Sequence, residues 1–269
     1  MTQGSAALAH GREQNLQIGM AVGIMAAKLE SYGRPITAAE RAELARSIRG
    51  VVRYQPGQDI AREHHFKAQS NVLLTGWCSR YIDLDDGRRQ ILALHIAGDF
   101  VDLHSYQTRL MDHSVRALTA CQIAVIPHEE LDRITEQFPH LTRQLWLHTL
   151  VDAAIMRQWM LGLGRRSAVE NAAHLLCELY YRLRAVGLVE GLGFTLPLTQ
   201  TELSEALGIS PVHANRVLQD LRAQRLVTLR AQRAEILDLQ RLEALAQFDP
   251  DYLHLANAAV DAQAAAASR

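Results

Sequence analysis

Between Ser210 and Gln219 the chain reads SPVHANRVLQ, with valine, arginine and glutamine at positions 212, 216 and 219. Turned through 100° per residue, Val212, Arg216 and Gln219 share one side of a helix. Ala214, Val217, Leu218 and Leu221 share the opposite side, and His213, Asn215 and Asp220 take the flanks. The first side suits the edges of bases in a duplex. Arginine clasps guanine through two hydrogen bonds, glutamine or asparagine suits adenine, and a small apolar group touches a thymine methyl. The plainer alternative is a small helical bundle whose polar face is simply solvated.

Such a helix must be held at its start and propped from behind. Thr199 followed by Glu202 is a capping-box spacing that begins a preceding helix with Leu203, Ala206 and Leu207 inward, and Gly208 ends it. Ser210 then serves as cap and Pro211 as first helical residue, so two helices meet across a tight bend with helix-turn-helix spacing. Unpaired amides at the two helix starts, near Thr199, Gln200 and Ser210, suit phosphate. The following "LVTLRAQRAEILDL" reads as a hairpin that places Arg230 and Arg233 near its turn, as a wing gripping a nucleic-acid backbone would. From Gly164 to Arg241 ten arginines and no lysine face eight acids, a balance of 10 − 8 = +2.

The upstream chain has a different texture. A helix is expected over 35–48 with Thr37 as cap. Short β-branched and aromatic runs from Gly50 to Pro127 then read as a compact antiparallel sandwich or barrel, with a hairpin at Asp85, Asp86 and Gly87. A long helical stretch from Leu141 to Leu163 carries Leu141, Leu145, His148, Val151, Ile155 and Trp159 at spacings of three or four, widened by Leu147, Leu150 and Ala154. A stripe broader than one neighbour needs points to packing on two sides. The expectation is a homodimer seam made by the first six of these residues. Gly162 and Gly164 mark a domain boundary, and the tail from about Asp249 is expected to fray.

Composition limits the partners. The net charge of −1 over 269 residues advertises no bulk attraction to nucleic acid or membrane, so any such signal is local. Cys78, Cys121 and Cys177 form no CxxC pair, which argues against zinc and disulfides and for a reducing cytoplasm. The apolar run Ile18 to Ala27 has the length of a signal-peptide core, but Arg12 and Glu13 precede it well inside the chain. A helix packed on the protein body is expected instead, and no membrane span.

The segments "DGRRQILALHIAGDF", "VRALTACQIAVIP" and "LTQTELSEALGISPVHANRVLQDLRAQRLV" together resemble the Crp/Fnr family of bacterial transcription regulators, in a branch with Pro-Val-His then Asn-Arg in the recognition helix. The resemblance covers roughly Pro35 to Leu239. It implies an α+β fold: an N-terminal antiparallel β-roll of the cyclic-nucleotide-binding type, a long dimerisation helix and a C-terminal winged helix-turn-helix. The expected divisions are 1–34 extension, 35–138 sensor, 139–164 dimerisation helix, 165–241 DNA-binding domain and 242–269 tail. By this resemblance Arg216 takes the shared base-contacting position, surrounded by Ser210, Val212, His213 and Gln219, while Thr199 and Gln200 hold phosphates. It further implies double-stranded DNA, a second copy of the chain and RNA polymerase as partners.

The effector is less determined. Cyclic-nucleotide readers of the family carry a glutamate and an Arg-Ser or Arg-Thr pair around the cyclic phosphate. Here Asp102 is the nearest acid, Met111 and Asp112 occupy the place of the pair, and Arg109 is the one displaced cation, so Asp102 and Arg109 are the candidate effector-binding residues and responsiveness to cyclic AMP is not expected. The family's iron-sulfur readers use clustered N-terminal cysteines, which this chain lacks. Twelve histidines, among them His64, His65, His95, His104 and His113, leave haem or metal sensing open, and spacing picks out no ligand set. Cys78, Cys121 and Cys177 would serve redox sensing if exposed with a lowered pKa, although cysteines on strands and helices are more often inert core residues. No cofactor or metal is therefore assigned. Two further readings stand beside the regulator: a protein-interaction module that has lost DNA, and a metal-dependent β-barrel enzyme. The enzyme reading lacks an HxH pair.

Overall fold

The structure, a computed structural model, describes residues 2–256, with side chains from residue 16 onward. In chain order its first elements are α1 (Thr2–Glu30), α2 (Ala38–Ser47), β1 (Gly50–Tyr54), β2 (Asp59–Ala61), β3 (Gln69–Thr75), β4 (Cys78–Asp83), β5 (Arg89–His95), α3 (Ser105–Thr108), β6 (Ser114–Ala117) and β7 (Cys121–Pro127). After them come α4 (His128–Gln137), α5 (Pro139–Gly164), α6 (Ala168–Ala185), β8 (Val189–Glu190), β9 (Gly193–Thr195), α7 (Gln200–Leu207), α8 (Pro211–Ala223), β10 (Val227–Arg230), β11 (Arg233–Ile236) and α9 (Leu239–Ala246). A 3-10 turn at Pro250–Leu253 ends the series. The chain divides into two compact units. One comprises residues up to 30 with 34–78 and 95–148, the other 31–33, 79–94 and the chain from 149 onward.

In the first unit β7 runs antiparallel between β1 and β3, with Val52 opposite Ile123 and Val72 opposite Ala124. Alternation along these strands feeds two cores. Val72, Leu74, Ala124 and Ile126 join one core, and Leu73, Cys121 and Ile123 join the other. Burial of β3 and β7 on both faces explains why their sequences read as apolar runs rather than strict alternation, whereas β1 at the edge keeps Val52 and Arg53 exposed. The first core also takes Ala21, Met25 and Leu29 of α1, spaced four apart, so the run that imitates a signal core is a packed helix face. Thr37 and Glu40 form the full capping box of α2, and Leu44 lies in the same core. Lys28 reaches Asp99 at 2.8 Å, both buried. Gly98, at φ +92, sits so close to that helix that an added Cβ would stand 2.5 Å from the Lys28 Cβ, which excludes any other residue.

In the second unit β4 and β5 are hydrogen-bonded neighbours, and Gly87 takes φ 83 in their turn as the Asp-Gly signal requires. Ser167 and Glu170 cap α6, which packs on α8 and α9. Glu178 is the polar hub of this unit. Its carboxylate accepts from Arg182 Nη1 at 2.9 Å, Trp159 Nε1 at 3.0 Å and Tyr252 Oη at 3.2 Å, and Arg182 Nη2 donates to the Leu94 carbonyl at 2.9 Å. A buried carboxylate is tolerated because its lone pairs are met.

Three expectations change here. The tail expected to fray from Asp249 is folded as far as Ala256: Phe248, Leu253 and Leu255 are buried, and the Ala256 amide donates to the Ser31 carbonyl at 2.9 Å. Residues 257–269 lie outside the described residues. The wing is larger than a two-stranded hairpin, since β11 also pairs with β9 and β9 with β8, giving the order β10-β11-β9-β8. The brevity of β8 and β9 hid them from pattern reading. Leu218, expected inward, is half-buried.

Candidate nucleic-acid interface

Thr199 caps α7. Its hydroxyl accepts from the Glu202 amide at 3.2 Å while the Thr199 amide donates back to Glu202 Oε2 at 2.7 Å. Thr199 and Gln200 are exposed beside that helix start. The helix ends at Gly208 in the left-handed region, φ 66, where its amide donates to the Ser204 carbonyl and an added Cβ would meet Leu163 Cδ2 at 2.8 Å. Two residues later Ser210 caps α8, accepting from the His213 amide at 3.3 Å, with Pro211 in the first turn.

The wheel drawn from sequence holds for the side that matters. Ala214, Val217 and Leu221 are buried, whereas Val212, His213, Arg216, Gln219 and Asp220 are exposed and Asn215 is half-buried. Val212 is 65% exposed, an apolar side chain kept in water at the start of a helix. Arg222 Nη2 donates to the Leu229 carbonyl at 2.8 Å, tying the end of α8 to the wing. The wing turn puts Ala231 and Gln232 at φ 49 and 62, values that favour glycine, with Arg230 and Arg233 exposed on either side. Arg233 pairs with Glu190 of β8, two strands away in the same sheet, at 3.0 Å, so one of the two wing cations is partly neutralised. Within the same unit Gln90 Nε2 donates to the Glu205 carbonyl at 2.7 Å, which brings the β4–β5 hairpin against α7.

The expected dimer seam needs correction. Leu141, Leu145, His148, Val151, Ile155 and Trp159 are all buried by the chain's own atoms. His148 Nε2 accepts from the Phe100 amide at 3.2 Å, and Trp159 donates to Glu178. The large apolar side chains that α5 exposes are Trp146, Leu150, Met156, Met160, Leu161 and Leu163. The signal was present as the unusual width of the stripe, but burial alone tells which half faces the chain's own core.

The two effector candidates have separate partners. Asp102 is fully buried: its oxygens accept from the Asn71 amide and Asn71 Nδ2, both at 2.6 Å, and face Lys67 Nζ at 3.5 Å. Burial pushes this carboxyl upward against the pull of Lys67 and Asn71. Asp102 therefore braces the fold rather than presenting an acid to solvent, a correction that follows from its burial. Arg109, at φ 60, directs Nη1 at His128 Nδ1, 2.8 Å away. Burial first, then the charges of Arg109 and Lys67, lowers the His128 imidazole to about 4, so His128 is neutral there. All three cysteines are buried, and burial raises the thiols of Cys121 and Cys177, which makes them poor nucleophiles.

Residues 51–138 match the cyclic nucleotide-binding domain and residues 172–245 the Crp-like helix-turn-helix domain. The chain is 31% identical to the transcriptional activator protein FnrL of Cereibacter sphaeroides over 179 residues, 65% of this chain and 71% of that protein. It belongs to the Crp/Fnr family of regulators. Another Crp/Fnr-like relative, the nitrogen fixation regulation protein FixK of Bradyrhizobium diazoefficiens, is 29% identical over 72% of this chain and 81% of its own. The solved structure of FixK2 from Bradyrhizobium japonicum aligns with a TM-score of 0.66 at 25% identity, covering 72% of this chain and 96% of that one. As a Crp/Fnr member with a helix-turn-helix domain and relatives named as regulators, the chain is a DNA-binding transcription regulator and not an enzyme. Among the described residues no helix is long and apolar enough to cross a membrane.

Proposed function

We propose that the protein acts in the cytoplasm as a homodimer that reads a palindromic operator without responding to cyclic AMP. The observation that carries this reading is α8, which buries Ala214, Val217 and Leu221 and leaves Val212, Arg216 and Gln219 in solvent at one end of a capped helix. In this reading Arg216 grips a guanine, Gln219 and Asn215 serve adenine, Val212 meets a thymine methyl and His213 lies on the flank. Thr199, Gln200 and Ser210 hold phosphates at the helix starts, and Arg230 and Arg233 hold them from the wing. One such helix covers too few base pairs to select a genomic site. Pairing through the outer face of α5 supplies a second, with half-sites about one helical turn, ~34 Å, apart.

The boundaries that serve this division of labour are a sensor at 35–138, a dimerisation helix at 139–164 and a DNA-binding domain from 165. The tail is reassigned to that last domain as far as residue 256. Independence of cyclic AMP follows from charge: the buried Met111 and the acidic Asp112 offer a cyclic phosphate no cation, and Arg109 is engaged with His128. RNA polymerase is the further partner, in keeping with relatives named as transcriptional activators.

The test is titration of the full chain against duplexes at several salt concentrations. A specific component should rise above non-specific binding, and log K should fall linearly with log salt. Arg216→Ala should cost about 1–3 kcal/mol per half-site and relax selectivity at one base pair. A flat salt response, or an unchanged sequence preference in Arg216→Ala, would sink the reading.

A further inference from the structure

In the first unit three side chains of metal-ligating type converge. His104 precedes α3, while Asp112 and His113 lie on the segment that returns from it to β6. A ring nitrogen of each histidine and a carboxylate oxygen of Asp112 all lie within 4.8 Å of one another, and no other set of three such residues does so among the described residues. Asp112 Oδ1 stands 2.6 Å from His113 Nδ1 and 3.5 Å from His104 Nε2, and the two imidazole centroids are 4.8 Å apart. We propose that His104, Asp112 and His113 form a binding site for a divalent first-row transition ion of the zinc or ferrous class.

Ligand chemistry selects that class. Two imidazoles and one carboxylate suit borderline ions, whereas magnesium and calcium take oxygen ligands. Bonds of about 2.0–2.2 Å place neighbouring ligand atoms roughly 3.0–3.5 Å apart around such an ion. The Asp112–His104 separation of 3.5 Å already meets this. The Asp112–His113 contact is of hydrogen-bond length and must open by under about 1 Å, which the solvent-facing Asp112 side chain, 80% exposed, can supply by rotation.

The backbone that carries His104 and the burial of His113 set the other two ligands. His104 is held by a turn in which the Ser105 amide donates to the Asp102 carbonyl at 2.9 Å and the Gln107 amide to the His104 carbonyl at 3.0 Å. His113 is buried between Met111 and Val115, both members of the second core. Three protein ligands, one of them the exposed carboxylate of Asp112, leave the solvent side of the ion open to water or a small ligand.

The rival arrangement is a hydrogen-bonded bridge in which Asp112 merely joins two imidazoles. To separate them, the full-length protein is stripped with chelator and titrated with Co2+, followed by its visible absorption, and then challenged with Zn2+. The expected result is one ion per chain, displaced by Zn2+, with affinity reduced more than about 10-fold in Asp112→Asn and in His104→Gln. His254→Gln, on an exposed histidine of the second unit, should bind as the native chain does. Zn2+ should also raise the Tm of the native chain and not that of Asp112→Asn, a substitution on an exposed side chain that leaves the core untouched. Absence of binding, or equal affinity in Asp112→Asn, overturns the site and leaves the DNA-binding reading intact, since that reading is scored on duplexes alone.

Discussion

Two versions of the dimer seam make opposite predictions. Leu150 is 52% exposed and Met160 73% exposed on the outer face of α5, whereas Leu145, on the side favoured by sequence, is 6% exposed. Fully burying a leucine or methionine contributes about 1.5–3 kcal/mol. Covering the exposed parts of Leu150 and Met160 with a partner is then worth about 2–4 kcal/mol per protomer, and about 4–8 kcal/mol across a two-fold axis. Leu150→Asp combined with Met160→Asp should remove that contribution and add the cost of desolvating carboxylates. The dimer Kd, read by sedimentation equilibrium, should rise at least about 1000-fold with circular dichroism unchanged. Leu145→Ala should instead cost about 2–4 kcal/mol of folding stability, read as a lower denaturant midpoint, and leave association of the folded chain nearly as it was. If the double variant is folded and dimeric at native concentration, the outer face is not the seam. Loss of the dimer in Leu145→Ala alone would restore the assignment made from sequence.

Three other expectations rest on separate observations. Arg233→Ala should weaken binding to all duplexes alike and lessen the salt slope by about 1 per protomer. Glu190→Gln, which releases Arg233 from its ion pair, should strengthen binding with no change in sequence preference; a base-selective change in either variant would show that the wing reads sequence. Burial lowers the His174 imidazole to about 3, with Arg166 adding to the effect, so the unfolded chain takes up a proton from about pH 6.5 downward that the native chain refuses. This contribution is intact above pH 6.5 and is lost as pH falls toward 3, at about 1.4 kcal/mol per pH unit in between. Urea midpoints between pH 7 and 4 should fall less steeply in His174→Gln, and an unchanged slope would refute the assignment.

Much of the DNA-facing geometry was legible without coordinates because it is governed by neighbours in sequence. Thr199 with Glu202, Ser210 with Pro211, and Gly208 after Leu207 are capping rules that act over three or four residues. The side of α8 that faces inward follows from periodicity once its start is known. The Asp-Gly turn between β4 and β5 is equally local.

Where partners lie far apart in sequence, the same reasoning stopped. Periodicity showed that α5 carries an apolar stripe broader than one neighbour needs, yet only the packed chain decided that Leu141, Leu145 and Trp159 face its own core while Leu150 and Met160 face out. Leu253 and Leu255 looked like the start of a fraying tail until burial in the second unit assigned them a place. Asp102 read as an acid available to a ligand, but its bonds to Asn71 and its burial make it internal bracing. Sequence by itself thus determined the helix ends, the turns and the exposed arginine of α8, because backbone capping and helical periodicity are set within a few residues. Tertiary structure decided which apolar face is spent inside, which charges are buried, and which of twelve histidines meet at Asp112, because burial depends on atoms that the chain brings together only by folding.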